Sequence, residues 1–154
     1  HMKAKVAISL LLVTLRFSSA IAGDATVIDG DGLLVASERV RLWGIDAPEL
    51  DQTCKRQGVP YACGERSRDT LRMLVASGEV NCEPVDRDRY GRMVARCSVE
   101  NRDLGAEMVR LGWAVDFRRY SQGAYAALEQ DARDAKRGLW AGEFVPPTEW
   151  RRSH

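Results

Sequence analysis

Val27-Ile28-Asp29-Gly30-Asp31-Gly32, and beyond it Val40-Arg41-Leu42-Trp43-Gly44-Ile45-Asp46-Ala47-Pro48-Glu49, form the most informative part of this chain. Apolar runs at 25–28, 33–36 and 40–45 are interrupted by Asp29-Gly30-Asp31-Gly32 and by Ser37-Glu38-Arg39. Runs this short, bounded by Gly, Asp and Ser, read as strands joined by tight turns. That reading puts Asp31 at a hairpin tip and Asp46 at a strand end, after which Pro48 turns the chain away. Hard cations are held by carboxylate and carbonyl oxygens in irregular backbone of this kind. Glu49 follows three residues after Asp46, within reach of a water beside such a cation. Alternation along 40–45 places Arg41 and Ile45 on one face of a continuous strand. An Arg turned into a groove is costly without an anion, which points to a phosphate.

Working outward, a polar loop holding Pro60 leads to 64–76, where Leu71, Leu74 and Val75 recur at helical spacing before Ser77-Gly78 stops them. Two further strand-like runs, 80–85 and 93–99, flank the turn Asp88-Arg89-Tyr90-Gly91. Helices are expected at 104–111, closed by Gly112, and at 124–136, closed by Gly138. Three strands, a helix, two strands and two helices suit an α+β fold that is mainly a β barrel: an OB-fold of five strands with three helices. The strand count alone does not compel that choice.

Four cysteines, Cys54, Cys63, Cys82 and Cys97, occur without a CxxC, and both histidines are terminal (His1 and His154), so a zinc site lacks its usual ligands. Cys82 and Cys97 lie six positions on either side of the Asp88–Gly91 turn, opposite each other on the expected hairpin. Bridging them leaves Cys54 to pair with Cys63, a short loop closure worth about 2.5–3 kcal/mol in the chain-entropy account.

The first residues read as processing. His1 precedes Met2 as a leftover of cloning; Lys3 and Lys5 are followed by an apolar run from 6 to 15 that Arg16 ends, too short for a membrane span. The small residues Ala20 and Ala22 suit signal-peptide cleavage after Ala22. The expectation is therefore a leader at 1–22, one domain at 23–143 and a tail at 144–154, in a periplasmic or secreted monomer with no stable membrane association after cleavage. Removing Lys3, Lys5 and Arg16 takes the 23 basic residues to 20 against 22 acidic ones, a net charge near −2. A protein that coats nucleic acid by bulk charge is far more positive. Phosphodiester chemistry here needs a focused site, with a metal to offset the acids.

Each piece has an ordinary reading: Asp-Gly is usually a hairpin turn, and a lone Arg usually pairs with a surface acid. Leu33 and Val40 stand where an EF-hand loop needs ligands, which excludes that site. Taken together, Asp29-Gly30-Asp31, Val40-Arg41-Leu42, Gly44-Ile45-Asp46-Ala47-Pro48-Glu49 and Asp88-Arg89-Tyr90-Gly91-Arg92 resemble the staphylococcal-nuclease family. The resemblance covers roughly 24–142, including Ala106 to Gly112 and Gly138-Leu139-Trp140. It implies an OB-fold and a calcium-dependent nuclease that cuts DNA and RNA to products with a 3′-phosphate. By the same resemblance, Asp31, Asp46 and the Ala47 carbonyl are calcium ligands, Arg41 and Arg92 grip the scissile phosphate, and Glu49 is the general base.

Without an internal His, the histidine-based hydrolytic machineries are excluded, and a carboxylate base is the main remaining option. Two guanidiniums and a divalent cation would stabilise charge developing on the phosphoryl oxygens. Two positions depart from the family. Gly32 stands where Thr is usual and removes a hydroxyl beside Asp31, and Ala47 stands where Thr is frequent but still offers its carbonyl. Phe117 and Tyr120 are either a stacking surface for bases or packing residues; Arg89 and Tyr90 either touch the nucleotide or only form the turn. The alternatives to an active nuclease are a catalytically weak nucleic-acid-binding module and an exported barrel that binds another polymer.

Overall fold

The computed structural model describes residues 19–154. β1 (Ile21–Gly23), β2 (Ala25–Asp29), β3 (Gly32–Val35) and β4 (Glu38–Leu42) form where short apolar runs meet turn residues; β5 (Ile45–Asp46), β6 (Cys54–Arg56) and β7 (Val59–Tyr61) are shorter ladders. α1 (Cys63–Val75) precedes the long hairpin of β8 (Val80–Arg87) and β9 (Met93–Val99). Then come β10 (Arg102–Asp103), α2 (Leu104–Arg110), β11 (Val115–Asp116), α3 (Arg118–Ser121) and α4 (Ala126–Asp134). A 3-10 turn at Gly138–Ala141 leads to α5 (Pro147–Ser153).

The main sheet runs β1-β8-β9-β4-β3-β2, with β10 on β9. All neighbours are antiparallel except β4 and β9, whose parallel register sets Arg41 beside Val94. Strict alternation buries Met93, Ala95, Cys97 and Val99 of β9 on one face. They meet Val27, Leu33, Val35, Val40 and Leu42 from the hairpins, and Leu71, Met108 and Val109 from α1 and α2. In place of the expected five-stranded barrel, the strands form one open sheet: among the described residues no ladder joins β2 back to β1, and β2 packs against α1. The architecture is a mixed α+β fold with a seven-stranded sheet.

A second correction concerns 40–45. The strand breaks at Trp43-Gly44, where Gly44 adopts φ +78°, a left-handed conformation that glycine accepts without a Cβ clash. Arg41 and Ile45 therefore do not share a face: Ile45 is fully buried while Arg41 faces the acidic turn. Trp43 and Trp113 border the core and are only partly buried.

Both expected disulfides are present, Cys54–Cys63 and Cys82–Cys97. Cys82 and Cys97 are direct partners across β8 and β9, with Cα atoms 4.1 Å apart. No helix of the described residues is long and apolar enough to cross a membrane. The leader expectation falls largely on 1–18, outside the described residues, and the expected cut after Ala22 lies inside β1, where Ala22 pairs with Asn81 of β8. The stretch expected as a tail contains α5, and its path is tied down at two points. Lys55 and Glu143 exchange backbone hydrogen bonds of 2.9 and 2.8 Å, and the buried Gln52 donates from Nε2 to the Val145 carbonyl at 2.8 Å.

Candidate active site

The turn between β2 and β3 presents Asp31, and the chain leaving β5 presents Asp46, Ala47 and Glu49 on the same side. The two segments are locked together by the Ala47 N–H, which donates to Asp31 Oδ2 at 2.9 Å. Gly30 allows this approach: a Cβ there would stand 2.7 Å from the Ala47 Cβ and collide with the Ser67 side chain. Gly32, where a hydroxyl was missed in the sequence, has its own use. A Cβ there would meet Asp29 Oδ1 at 2.7 Å, so the Asp29 carboxylate takes that space and accepts the Asp31 N–H at 3.3 Å.

Asp31 and Asp46 are buried, and one guanidinium bridges them: Arg41 Nη1 lies 3.2 Å from Asp31 Oδ2, and Nη2 lies 3.5 Å from Asp46 Oδ1. The Asp31 carboxylate is the main influence holding Arg41 above its ordinary pKa. Arg41 Nη1 is nonetheless a buried donor with no aligned acceptor, close to Asp31 but not hydrogen-bonded to it. Burial pushes the Asp46 carboxyl up, against the pull of the guanidiniums beside it. Burial, together with the charge of Asp31, pushes Asp29 up to about 7. A carboxyl raised in the folded state costs stability as pH rises from its unfolded value toward 7, so this corner gains from a positive charge.

Two buried carboxylates and a third beside them, with no nitrogen or sulfur ligand near them among the described residues, make a hard-oxygen donor set, which fits calcium rather than zinc. Among the described residues no three such side chains converge into a ready-made cage. Guanidiniums neutralise the acids instead. One of them was not anticipated from sequence: Arg151 of α5 takes Asp46 in a fork, Nη1 to Oδ1 at 3.0 Å and Nη2 to Oδ2 at 3.1 Å. Its Nη1 also reaches Glu49 Oε1 at 2.8 Å. Partial burial works against its charge, but the bonds to Asp46 and Glu49 outweigh that and raise its pKa. Gln52, also missed, accepts the Glu49 N–H at 3.2 Å through Oε1 while anchoring Val145, so one buried amide positions both Glu49 and the approach to α5.

Arg92 stands apart from this cluster. Its Nε donates to Asp88 Oδ2 at 2.7 Å, and bonds from Arg92 hold Asp88 below the usual carboxylate range although desolvation works the other way. The β4–β9 register sets Val94 beside Arg41, and Arg92 stands two residues before Val94, in the turn that leads into β9. The two backbones are on the order of 8 Å apart, from strand spacing and rise. Arg89 and Tyr90 form the tip of that turn, with Arg89 Nη2 bonded to the Tyr90 hydroxyl at 2.7 Å and the Arg92 guanidinium 5.6 Å from the Tyr90 ring centre. Phe117 and Tyr120 pack edge to face with centroids 5.0 Å apart. Phe117 donates its N–H to the Gly44 carbonyl, and the pairing of β11 with β5 sets Val115, not Phe117, opposite Asp46.

The chain is similar in sequence to several known proteins. Over 126 residues the chain is 40% identical to the succinoglycan biosynthesis protein ExoI of Rhizobium meliloti (strain 1021), covering 80% of this chain and 66% of that protein. It is 36% identical over 124 residues to a probable staphylococcal-like nuclease, CAN2, of Oryza sativa subsp. japonica, covering 79% of this chain and 31% of that one. It is also 36% identical over 132 residues to an uncharacterized endonuclease of Escherichia coli O157:H7, covering 81% and 80%. The chain thus spans just under two thirds of the first relative and about a third of the second. The profile described as staphylococcal nuclease homologue matches residues 39–142, from β4 through the 3-10 turn, and on that match the chain belongs to the staphylococcal nuclease family.

Proposed function

We propose that this chain is an exported, calcium-dependent nuclease that hydrolyses phosphodiester bonds of DNA and RNA and leaves 3′-phosphate ends. The observation that carries the reading is Arg41. It is a buried guanidinium that bridges two buried carboxylates and keeps one N–H without an aligned acceptor, which is the state of a donor prepared for a phosphoryl oxygen. Asp31, Asp46 and the Ala47 carbonyl would hold the calcium, whose charge, when bound, stabilises the phosphoryl oxygens as attack builds negative charge on them. Arg41 and Arg92 would donate hydrogen bonds to those same oxygens. Glu49, at the more open rim of the cluster, takes a proton from the attacking water. The P–O5′ bond then breaks, its electron pair stays on the 5′ oxygen, and that oxygen takes a proton from solvent water to become the 5′-hydroxyl. Tyr90, Arg89, Phe117 and Tyr120 would contact the sugar and bases. Two disulfides support an oxidising compartment.

The product ends test this reading. A polymerase should fail to extend the upstream fragments of a cleaved DNA oligonucleotide until a phosphatase has removed their 3′-phosphates. Fragments that extend directly would contradict it.

A further inference from the structure

α5 delivers a positive charge to the carboxylates that the cation would use. Arg151 engages both oxygens of Asp46 and one of Glu49, while Arg41 spans Asp31 and Asp46. Asp31, Asp46 and Glu49 are each paired with a guanidinium from within the chain. α5 reaches this position along a fixed path: the Lys55–Glu143 bridge, the Gln52 bond to Val145, and the buried Pro147 at the helix start. The fork itself is the part of this arrangement that can open. The Arg151 side chain is 39% exposed, and α5 is a helix of seven residues whose Trp150 stacks on the terminal His154, at 3.7 Å. Such short, exposed elements occupy the low-stability end of a fold.

We infer that Arg151 is a built-in substitute for the divalent cation: it neutralises Asp46 and Glu49 while no metal is bound, and α5 must let go of them before the cation and the attacking water can take their places. This rests on the calcium reading above. Cation binding and release of α5 are then one coupled equilibrium, in which the apparent affinity is the intrinsic affinity reduced by the fraction of molecules with α5 released. The same step frees Glu49 to accept a proton, so α5 acts as an autoinhibitory strap whose setting depends on calcium.

Titration calorimetry of calcium into the full chain and into Arg151→Gln, without substrate, tests the competition. The variant is expected to bind calcium about tenfold more tightly, because the closed state it competes with has been removed. Equal affinities in the two proteins would overturn the strap and leave the calcium reading standing, and so would weaker binding in the variant, which would make Arg151 a support of the site. No calcium binding in either protein would overturn both. Hydrogen exchange on the unmodified chain supplies a readout that needs no variant. Calcium should speed exchange of the amides of 149–152, and unchanged or slower exchange there would overturn the strap.

Discussion

Glu49→Gln is expected to lower kcat by about 10²–10⁴-fold, the range in which positioned general bases operate, with KM for an oligonucleotide little changed. The amide keeps the shape and the hydrogen-bond acceptor that Arg151 uses, but it cannot take a proton from water. Glu49 is the exposed member of the cluster, 34% accessible at its side chain against 1% for Asp46, so the loss falls on chemistry and not on folding. Measuring kcat and KM separately matters, since a residue that only binds substrate moves KM. Near-normal kcat in this variant would remove Glu49 from its role.

Arg41→Met should do two kinds of damage. Cleavage falls by about 10²–10³-fold or more, as when one preorganised donor to a developing oxyanion is lost. Stability falls as well, because Asp31 and Asp46 are left buried with the charge that bridged them removed. Breaking a buried pair in this way costs about 3–5 kcal/mol, which for a domain of this size lowers the melting temperature on the order of 10 °C. Calcium should restore part of the stability, since it binds the folded state alone, but none of the guanidinium's contribution to the rate. A melting temperature unchanged by the substitution in the presence of a chelator would contradict the bridging role.

The two predictions draw on residues that were legible because they are local. Asp31, Arg41, Asp46, Ala47 and Glu49 fall within nineteen positions of one another, and turn chemistry at Gly30 and Pro48 is enough to bring them to one side. The disulfides were legible for a similar reason, since symmetry about one turn sets the register of β8 and β9. Arg151 was not. It lies 105 residues from Asp46, and what carries it there is the Gln52–Val145 bond and the Lys55–Glu143 bridge, contacts without any periodicity. β5, β10 and β11 are two residues each, too short for alternation to register. The break at Gly44 was hidden by the apolar run around it, and with it the separation of Arg41 from Ile45. A count of five strands does not say how many short strands join the sheet, nor whether an edge meets a strand or, as for β2, a helix.

Calcium dependence is decided by cleavage of single-stranded and duplex DNA in calcium and then in excess chelator. Cutting is expected with calcium, lost on chelation and restored when calcium is added back. No cutting at any calcium concentration, or cutting that persists in chelator, would contradict that expectation.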